Sequence, residues 1–112
     1  MKFSKRSLSE IPQEEAHGGS GSRQMLHDAN LDLSQNWEAV TKGFLPSGQM
    51  FDWHEHKDID EMWIVTKGEG MFYCDEQEVV YRPGDVFTVT ANTQHKIAAD
   101  TDTEGFFIRI KK

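Results

Sequence analysis

Short segments rich in β-strand formers, separated by turn residues, run from Trp37 almost to the last residue of the chain. They follow one another roughly every ten residues, the spacing typical of a β-sandwich or barrel. A period of 3.6 residues never persists long enough to indicate a helix of more than about two turns. A barrel also hides the strand edges that a small strand-rich domain would otherwise expose. The sequence therefore predicts an all-β domain.

The residues before this pattern predict an N-terminal arm and a glycine-rich loop. Pro12 disfavours a helix at Ile11, so we expect an extended arm that lies as an edge strand on a partner subunit. The segment 17–22 contains three glycines and two serines and predicts a flexible loop, which could fold over the mouth of the barrel. We therefore divide the chain into an arm and loop, residues 1–22, and a barrel domain, residues 23–112.

Length and composition disfavour several classes of protein. The 112 residues suit one domain. The formal net charge of -7 disfavours binding to nucleic-acid phosphates. The apolar runs are too short for a membrane-spanning helix, and no apolar segment follows the basic N-terminal residues, so we expect neither membrane partner nor secretory signal. Cys74 is the only cysteine, which predicts a strand residue in a reducing cytoplasm.

Two histidines and a glutamate form the stretch with the most distinctive chemistry. His54 and His56 are two residues apart, so in a strand their imidazoles share a face and can bind one metal ion. Glu61 has the wrong parity for the same unbroken strand, but the polar segment 57–60 can turn, which predicts a hairpin that carries all three groups. His95, from a separate strand, would be a fourth ligand. The alternative is ordinary surface histidines and a surface acid.

Two glycines frame this stretch and complete a known pattern. The stretch resembles the first motif of the cupin superfamily, Gly-x5-His-x-His-x4-Glu-x6-Gly. The resemblance covers about residues 37–110 and implies a cupin-type double-stranded β-helix, also called a jelly-roll barrel, with an N-terminal arm. It also implies that His54, His56, Glu61 and His95 are the metal ligands inside the barrel. The matched positions are Gly48, His54, His56, Glu61 and Gly68.

The second cupin motif, Gly-x5-Pro-x-Gly-x2-His-x3-Asn, is only partly present. Gly84 and His95 match it, whereas Thr90 replaces the proline and Ala99 replaces the last asparagine. Asn92 replaces the second glycine, which is a mild departure because asparagine tolerates a left-handed backbone better than most residues. The shape of the turn before the histidine therefore cannot be taken from the motif.

A site of three imidazoles and one carboxylate suits a divalent transition metal, namely Fe, Mn, Ni, Zn, Co or Cu. On an octahedral ion, four protein ligands would leave positions for a small-molecule substrate. The resemblance implies an enzyme, either a dioxygenase with a redox-active ion or a Lewis-acid isomerase or lyase. A barrel that binds a sugar or an organic acid without turnover is the alternative, and an empty site or an inert metal is compatible with it.

Neighbouring side chains are candidates for the substrate pocket. Met50 and Asp52 share the parity of His54, and Asp52 could orient a ligand histidine or act as a base. A solvated carboxylate at the rim is the alternative. Trp63, which has the parity of the glutamate, could form an apolar wall or simply pack in the core. Tyr73 could bond a substrate, although an amphipathic barrel residue is the common role.

The last strand gives two readings for Arg109. If Phe106, Ile108 and Ile110 pack in the core, Arg109 lies outside, which is the reading we favour. If a bulge reverses the register, Arg109 could bind a substrate carboxylate through two hydrogen bonds.

Spare apolar residues predict a homodimer. Their parity differs from that of the metal ligands, and burial across a two-fold axis would protect the sheet. These residues are Phe51, Trp53, Ile64 and Phe107.

Overall fold

A computed structural model of the chain describes residues 2–16 and 19–112, so His17 in the glycine-rich loop lies outside the described residues. Nearly all regular structure in these ranges is β-strand, with one short 3-10 turn at Leu8–Glu10. The all-β prediction is confirmed. Nothing helical in the described ranges has the length and apolar character needed to cross a membrane.

Within residues 2–16 and 19–112, ten strands form two antiparallel sheets, an arrangement consistent with the predicted jelly-roll barrel. The six-stranded sheet has the order β1 (Glu14–Glu15), β2 (Ser22–Met25), β3 (Trp37–Leu45), β10 (Thr103–Lys111), β5 (Ile59–Lys67) and β8 (Val86–Val89). The four-stranded sheet has the order β4 (Met50–His54), β9 (His95–Ala99), β6 (Gly70–Cys74) and β7 (Gln77–Tyr81).

The core contains buried side chains from both sheets. Along β5, Trp63 and Val65 are buried on the same face as Glu61, as their parity predicts. The Trp63 ring stacks on Phe87 at 5.3 Å and on Phe107 at 5.6 Å between ring centroids. Phe87 stacks in turn on Phe72 of the four-stranded sheet at 4.5 Å, so burial of this aromatic cluster helps to hold the two sheets together. The other large members of the core are Leu45, Tyr81, Val89 and Ile97.

The last strand, β10, faces the opposite way from our prediction. Phe107 stacks on the core tryptophan, and Arg109 lines a cavity inside the barrel. The alternation of side chains along a strand then places Phe106, Ile108 and Ile110 on the outer face. The prediction was wrong because β10 lies between β3 and β5 and carries apolar side chains on both faces, so the pattern did not identify the inner one.

The N-terminal arm packs on its own chain, whereas we predicted that it lies on a partner subunit. Strand β1 pairs with β2, with Glu14 opposite Arg23. The side-chain amide of Gln24 donates to the carbonyl oxygens of Leu8 at 2.8 Å and Ile11 at 2.7 Å. The arm is thus an edge strand of the chain's own six-stranded sheet.

Candidate metal centre

The segment between β4 and β5 carries the chain from one sheet to the other. Strand β4 ends at His54 in the four-stranded sheet, and β5 begins at Ile59 in the six-stranded sheet, so the two strands are not hydrogen-bonded neighbours. The chain turns between them through Asp58, which has a φ of 57°. The predicted hairpin is therefore wrong. His54 and Glu61 come from different sheets, and His56 lies on the connection.

A register shift in β4 turns the histidine inward. Phe51 and His54 are three residues apart, yet they pair with residues of β9 that are two apart. Such a bulge reverses the alternation of side chains. Contrary to our prediction, Met50 and Asp52 therefore do not share an uninterrupted strand face with His54. Phe51 instead packs edge-on against Phe107, with 6.1 Å between the ring centroids. Neither phenylalanine is therefore a spare exterior residue, as the dimer prediction assumed.

The structure brings the four predicted ligands together. His54, His56, Glu61 and His95 each offer one donor atom, and these atoms all lie within 4.8 Å of one another. The ring of His54 lies 4.2 Å from that of His95 and 5.1 Å from that of His56, between centroids. Glu61 and His95 are buried, and the other two are half-buried. This cluster could therefore hold a metal ion.

Backbone carbonyls orient two of the imidazoles. His54 Nδ1 lies 2.6 Å from the carbonyl oxygen of Asp52, and His95 Nδ1 lies 2.9 Å from that of Thr93. Because a carbonyl oxygen only accepts, each Nδ1 carries a proton, which in the neutral ring leaves the lone pair of Nε2 available to a metal ion. Such hydrogen bonds fix the ring and its tautomer around a metal. In His95, Nε2 lies 3.2 Å from Glu61 Oε1.

The third imidazole has a buried nitrogen without a hydrogen bond. His56 Nε2 is buried and has no hydrogen-bond partner among the described residues, although it lies 3.3 Å from Glu61 Oε2. A buried polar atom without a partner costs free energy, which a ligand at this point would relieve. Three imidazoles and a carboxylate are also a suitable donor set for borderline divalent ions. The residues present therefore fit a transition metal.

The electrostatics of the cluster favour a cation. Burial raises the pKa of Glu61, but contacts with His56 and His95 outweigh it and bring the pKa down to about 2. Burial lowers the pKa of His95, but Glu61 and the carbonyl oxygen of Thr93 outweigh it, so the pKa is raised. Burial is the main cause of a lowered pKa at His54. The centre therefore presents an ionised carboxylate at neutral pH.

Asn92 joins two segments that carry donor residues. Its backbone N–H donates to the carbonyl oxygen of His56 at 3.1 Å, and its Oδ1 accepts from the N–H of Asp58 at 3.0 Å. Its φ is 65°, in the left-handed region that asparagine tolerates better than most residues. The side-chain bond to the connection between β4 and β5 was not predicted, because it depends on the distance between two turns far apart in sequence.

A cavity of about 520 Å³ opens beside the cluster, and two of the four predicted pocket residues line it. Met50 and Asp52 are on its wall. Trp63 lies in the aromatic core instead. Tyr73 contacts the Lys96 ammonium at 4.5 Å from its ring centroid. That tyrosine alternates with buried Phe72 along β6, so it faces away from the core.

The chain before β2 and the first residues of β2 form part of the cavity wall. Ala16, Ser20 and Ser22 line the cavity together with Arg23. The N–H of Gly21 donates to the side-chain oxygen of Gln49 at 3.2 Å, which connects this wall to the start of β4. Residues on both sides of positions 17 and 18 therefore line the cavity, and the fold-over of the glycine-rich loop stays a prediction.

Two polar residues near the centre were not predicted there. Arg109 was predicted to lie on the exterior, and Glu38 was not a candidate. Arg109 Nε donates to Glu38 Oε2 at 2.6 Å, and Arg109 Nη1 lies 3.8 Å from Glu61 Oε2. The pairing of β10 with β3 shifts register between Arg109 and Ile110, next to this ion pair. A bulge of this kind involves two strands at once, so neither strand alone signals it.

Comparison with known proteins agrees with this architecture. Residues 43–110, more than half of the chain, match the family described as "Cupin domain". An oxalate-binding protein of Thermotoga maritima is 26% identical over 94 residues, which cover 83% of this chain and 78% of that protein.

Two solved structures share the fold. A predicted oxalate decarboxylase from Thermotoga maritima has a TM-score of 0.84 and 24% identity, over 95% of this chain and 97% of that one. Ectoine synthase from P. lautus has a TM-score of 0.82 and 12% identity, over 97% of this chain and 78% of that one. The family match, the shared fold and the first motif lead to one conclusion: the chain belongs to the cupin domain family.

Proposed function

We propose that this cupin binds a divalent transition metal through His54, His56, Glu61 and His95 and acts as an enzyme on a small molecule that chelates the ion through oxygen. The observation that carries this proposal is the convergence of four donor atoms within 4.8 Å of one another beside a cavity of about 520 Å³. A cavity of this size is in the range that small-molecule ligands occupy.

The identity of the ion decides the reaction class. A redox-active ion such as Fe or Mn would supply dioxygenase chemistry, and a Zn or Ni ion would supply Lewis-acid chemistry for an isomerase or lyase. The chain itself supplies the carboxylate of Glu61 and the carbonyl oxygens that hold His54 and His95 in orientation. Phe72 stacks on the ring of His95 at 6.1 Å between centroids, which covers one side of this buried imidazole.

A small organic acid is the ligand class that we favour. The related protein from Thermotoga maritima is named for oxalate binding, which makes oxalate the first molecule to test. A dicarboxylate of this size offers two oxygen atoms to one ion. The guanidinium of Arg109 on the same cavity wall supports an anionic ligand.

A binding protein without turnover is the second candidate. The two cavity carboxylates outside the cluster both accept hydrogen bonds already, Asp52 from the N–H of Trp53 at 2.8 Å and Glu55 from the side-chain amide of Gln94 at 3.1 Å. Both carboxylates are thus engaged with donors of the chain itself rather than directed at the cluster. Binding of oxalate with neither oxygen uptake nor product formation would favour this candidate.

The experiment is a measurement of bound metal per chain. Protein purified without chelators is compared with His54→Ala and with His27→Ala, a half-buried histidine outside the cluster. The proposal predicts about one ion per chain in the wild type and in His27→Ala, and a large loss in His54→Ala, because each missing ligand weakens the site. Equal metal content in all three proteins would refute the metal centre.

We also propose that two copies of the chain pair through the outer face of the six-stranded sheet. Val40, Ile108 and Met62 lie directly opposite one another across β3, β10 and β5. Next to them, Phe106 pairs with Ile64. A continuous apolar surface across three central strands favours burial against a second copy.

The proposed location is the reducing cytoplasm. Cys74 is half-buried on β6, and burial raises the pKa of its thiol. A raised pKa makes a thiol less reactive, and a lone thiol suits a reducing compartment. Cell fractionation with an antibody against the chain tests this location.

A further inference from the structure

Arg109 is placed where it can contact a ligand in the cavity. It is on the inner face of β10, it lines the cavity, and its side chain is 17% exposed. On one side its Nε donates to Glu38 Oε2 at 2.6 Å. On the other side its Nη1 lies 3.8 Å from Glu61 Oε2, too far for a hydrogen bond. The guanidinium thus lies between an ion-pair partner and the proposed metal centre.

Most of the hydrogen-bonding capacity of this guanidinium is unused. An arginine side chain has five N–H donors, and within the described residues Arg109 donates one hydrogen bond, to Glu38. The planar end of the guanidinium suits a carboxylate, because two parallel N–H groups can bond both oxygens. A cavity-facing arginine with free N–H groups is therefore a recognition group for an acid.

We propose that Arg109 binds the carboxylate of a small anionic ligand, and that Glu38 competes with this ligand for the guanidinium. This inference rests on the proposed metal function, because the other oxygens of the ligand would lie at the donor cluster that includes Glu61. The short distance between the Arg109 guanidinium and Glu61 allows even an acid as small as oxalate to reach both the donor cluster and the guanidinium. A neutral chelator has no carboxylate for the guanidinium and is disfavoured.

The two members of the ion pair are expected to have opposite effects on binding. Removing the guanidinium removes charge-assisted hydrogen bonds to the ligand, which are stronger than neutral ones. Removing the charge of Glu38 frees the guanidinium and removes a repulsive negative charge near the ligand. If the ion pair only supported the fold, loss of either partner would weaken binding in the same direction.

The test is calorimetric titration of oxalate into protein loaded with Co²⁺. The variants are Arg109→Gln, Arg109→Lys and Glu38→Gln, with Arg82→Gln as the matched control. Arg82 is exposed and lies away from the residues that line the cavity, so its loss removes the same charge at a distance from the ligand. Bound cobalt per chain is measured for each protein, so that loss of the metal is recognised separately from loss of oxalate binding.

Arg109→Gln is expected to weaken oxalate binding by about ten- to hundredfold, with Arg109→Lys in between, because lysine keeps the charge without the planar pair of donors. Glu38→Gln is expected to tighten binding severalfold, and Arg82→Gln to change it by less than about threefold. If Arg109→Gln does not fold, the inference is tested by whether Glu38→Gln raises or lowers the affinity for oxalate.

Three results would overturn the inference while the metal centre stands. They are unchanged oxalate binding in Arg109→Gln, weaker binding in Glu38→Gln, or no oxalate binding by cobalt-loaded wild-type protein. Failure of the wild-type chain to retain cobalt would instead refute the metal function on which the inference rests.

Discussion

At the scale of single residues, Glu61 determines the charge of the candidate centre. Its oxygens lie 3.3 Å from His56 Nε2 and 3.2 Å from His95 Nε2, and its pKa of about 2 keeps it ionised. A buried carboxylate of this kind is stable only beside positive charge or strong donors. In the metal-free protein a proton on His95 supplies part of that charge, and a divalent ion would replace it.

Competition between this proton and the metal predicts a pH dependence. The pKa of His95 is raised, so the stability from its protonated form is complete below about 6.5 and is lost as the pH rises through the raised pKa. Metal binding requires the neutral imidazole, so metal affinity should rise over the same pH range. About one proton or more should be released for each ion bound. Calorimetric titration with Zn²⁺ between about pH 6 and 8.5 measures this slope. An affinity that does not change with pH would contradict this role of His95.

Asn92 provides a second test at the same scale. Asn92→Gly keeps the left-handed backbone but loses the bond to the N–H of Asp58, and should cost about 1 kcal/mol of unfolding free energy. Asn92→Ala also forces alanine into that backbone conformation and should cost about 1–2 kcal/mol more. Urea unfolding of the metal-free variants measures both values. Asn92→Ala as stable as wild type would show that the turn relaxes without cost.

At the scale of the elements, two glycines bound the segment that contains β4 and β5. Gly68 follows β5 with a φ of 94°, and a Cβ atom there would clash with the carbonyl oxygen of Asp102. Gly48, which precedes β4, has a φ of 81° but no atom within 4 Å of such a Cβ. Both are fixed positions of the first cupin motif, yet the packing around them differs.

Alanine at these two glycines should therefore have unequal effects. Gly48→Ala introduces only left-handed strain and should lower the unfolding free energy by about 1–2 kcal/mol. Gly68→Ala adds a clash with backbone and should cost at least about 1 kcal/mol more, or prevent folding. Denaturant unfolding of the two variants side by side gives the comparison. Equal losses would mean that the backbone of Asp102 moves aside freely.

The elements also show how far the sequence determines the structure. The alternation of residues located most strands, and the motif spacing selected His54, His56, Glu61 and His95. The alternation of residues did not predict the inner face of a strand where a bulge inserts a residue, as in β4. It also failed in β10, where Phe106 and Phe107 offer an apolar side chain on each face and only the partner strands determine which face is buried.

The contacts around the centre depend on tertiary structure and were not predictable from the pattern. Arg109 reaches Glu38 across 71 residues of sequence, and Asn92 reaches Asp58 across 34. Both contacts join positions that come together only when the sheets assemble. The division into an arm, residues 1–22, and a barrel, residues 23–112, stays a prediction.

At the scale of the whole molecule, the proposed pairing of two chains has a simple test. Met62→Lys places a charge on the apolar outer face of the six-stranded sheet, where Met62 is 38% exposed. Because burying an unpaired charge is costly, this variant should be monomeric under conditions where the wild type is dimeric. Val80→Lys is the matched control, since Val80 is 47% exposed on the other sheet. Light scattering coupled to gel filtration reports the mass.

A wild-type chain that is monomeric at high concentration would contradict the pairing. So would a dimer that Met62→Lys leaves intact and Val80→Lys disrupts, because the contact would then lie on the four-stranded sheet.

The most direct test of the metal centre is an anomalous-difference map from crystals of the metal-loaded protein. The account predicts one strong peak about 2.0–2.2 Å from the Nε2 atoms of His54, His56 and His95 and from a carboxylate oxygen of Glu61. A peak that excludes His95, or no peak at this cluster in protein shown to carry metal, would contradict it.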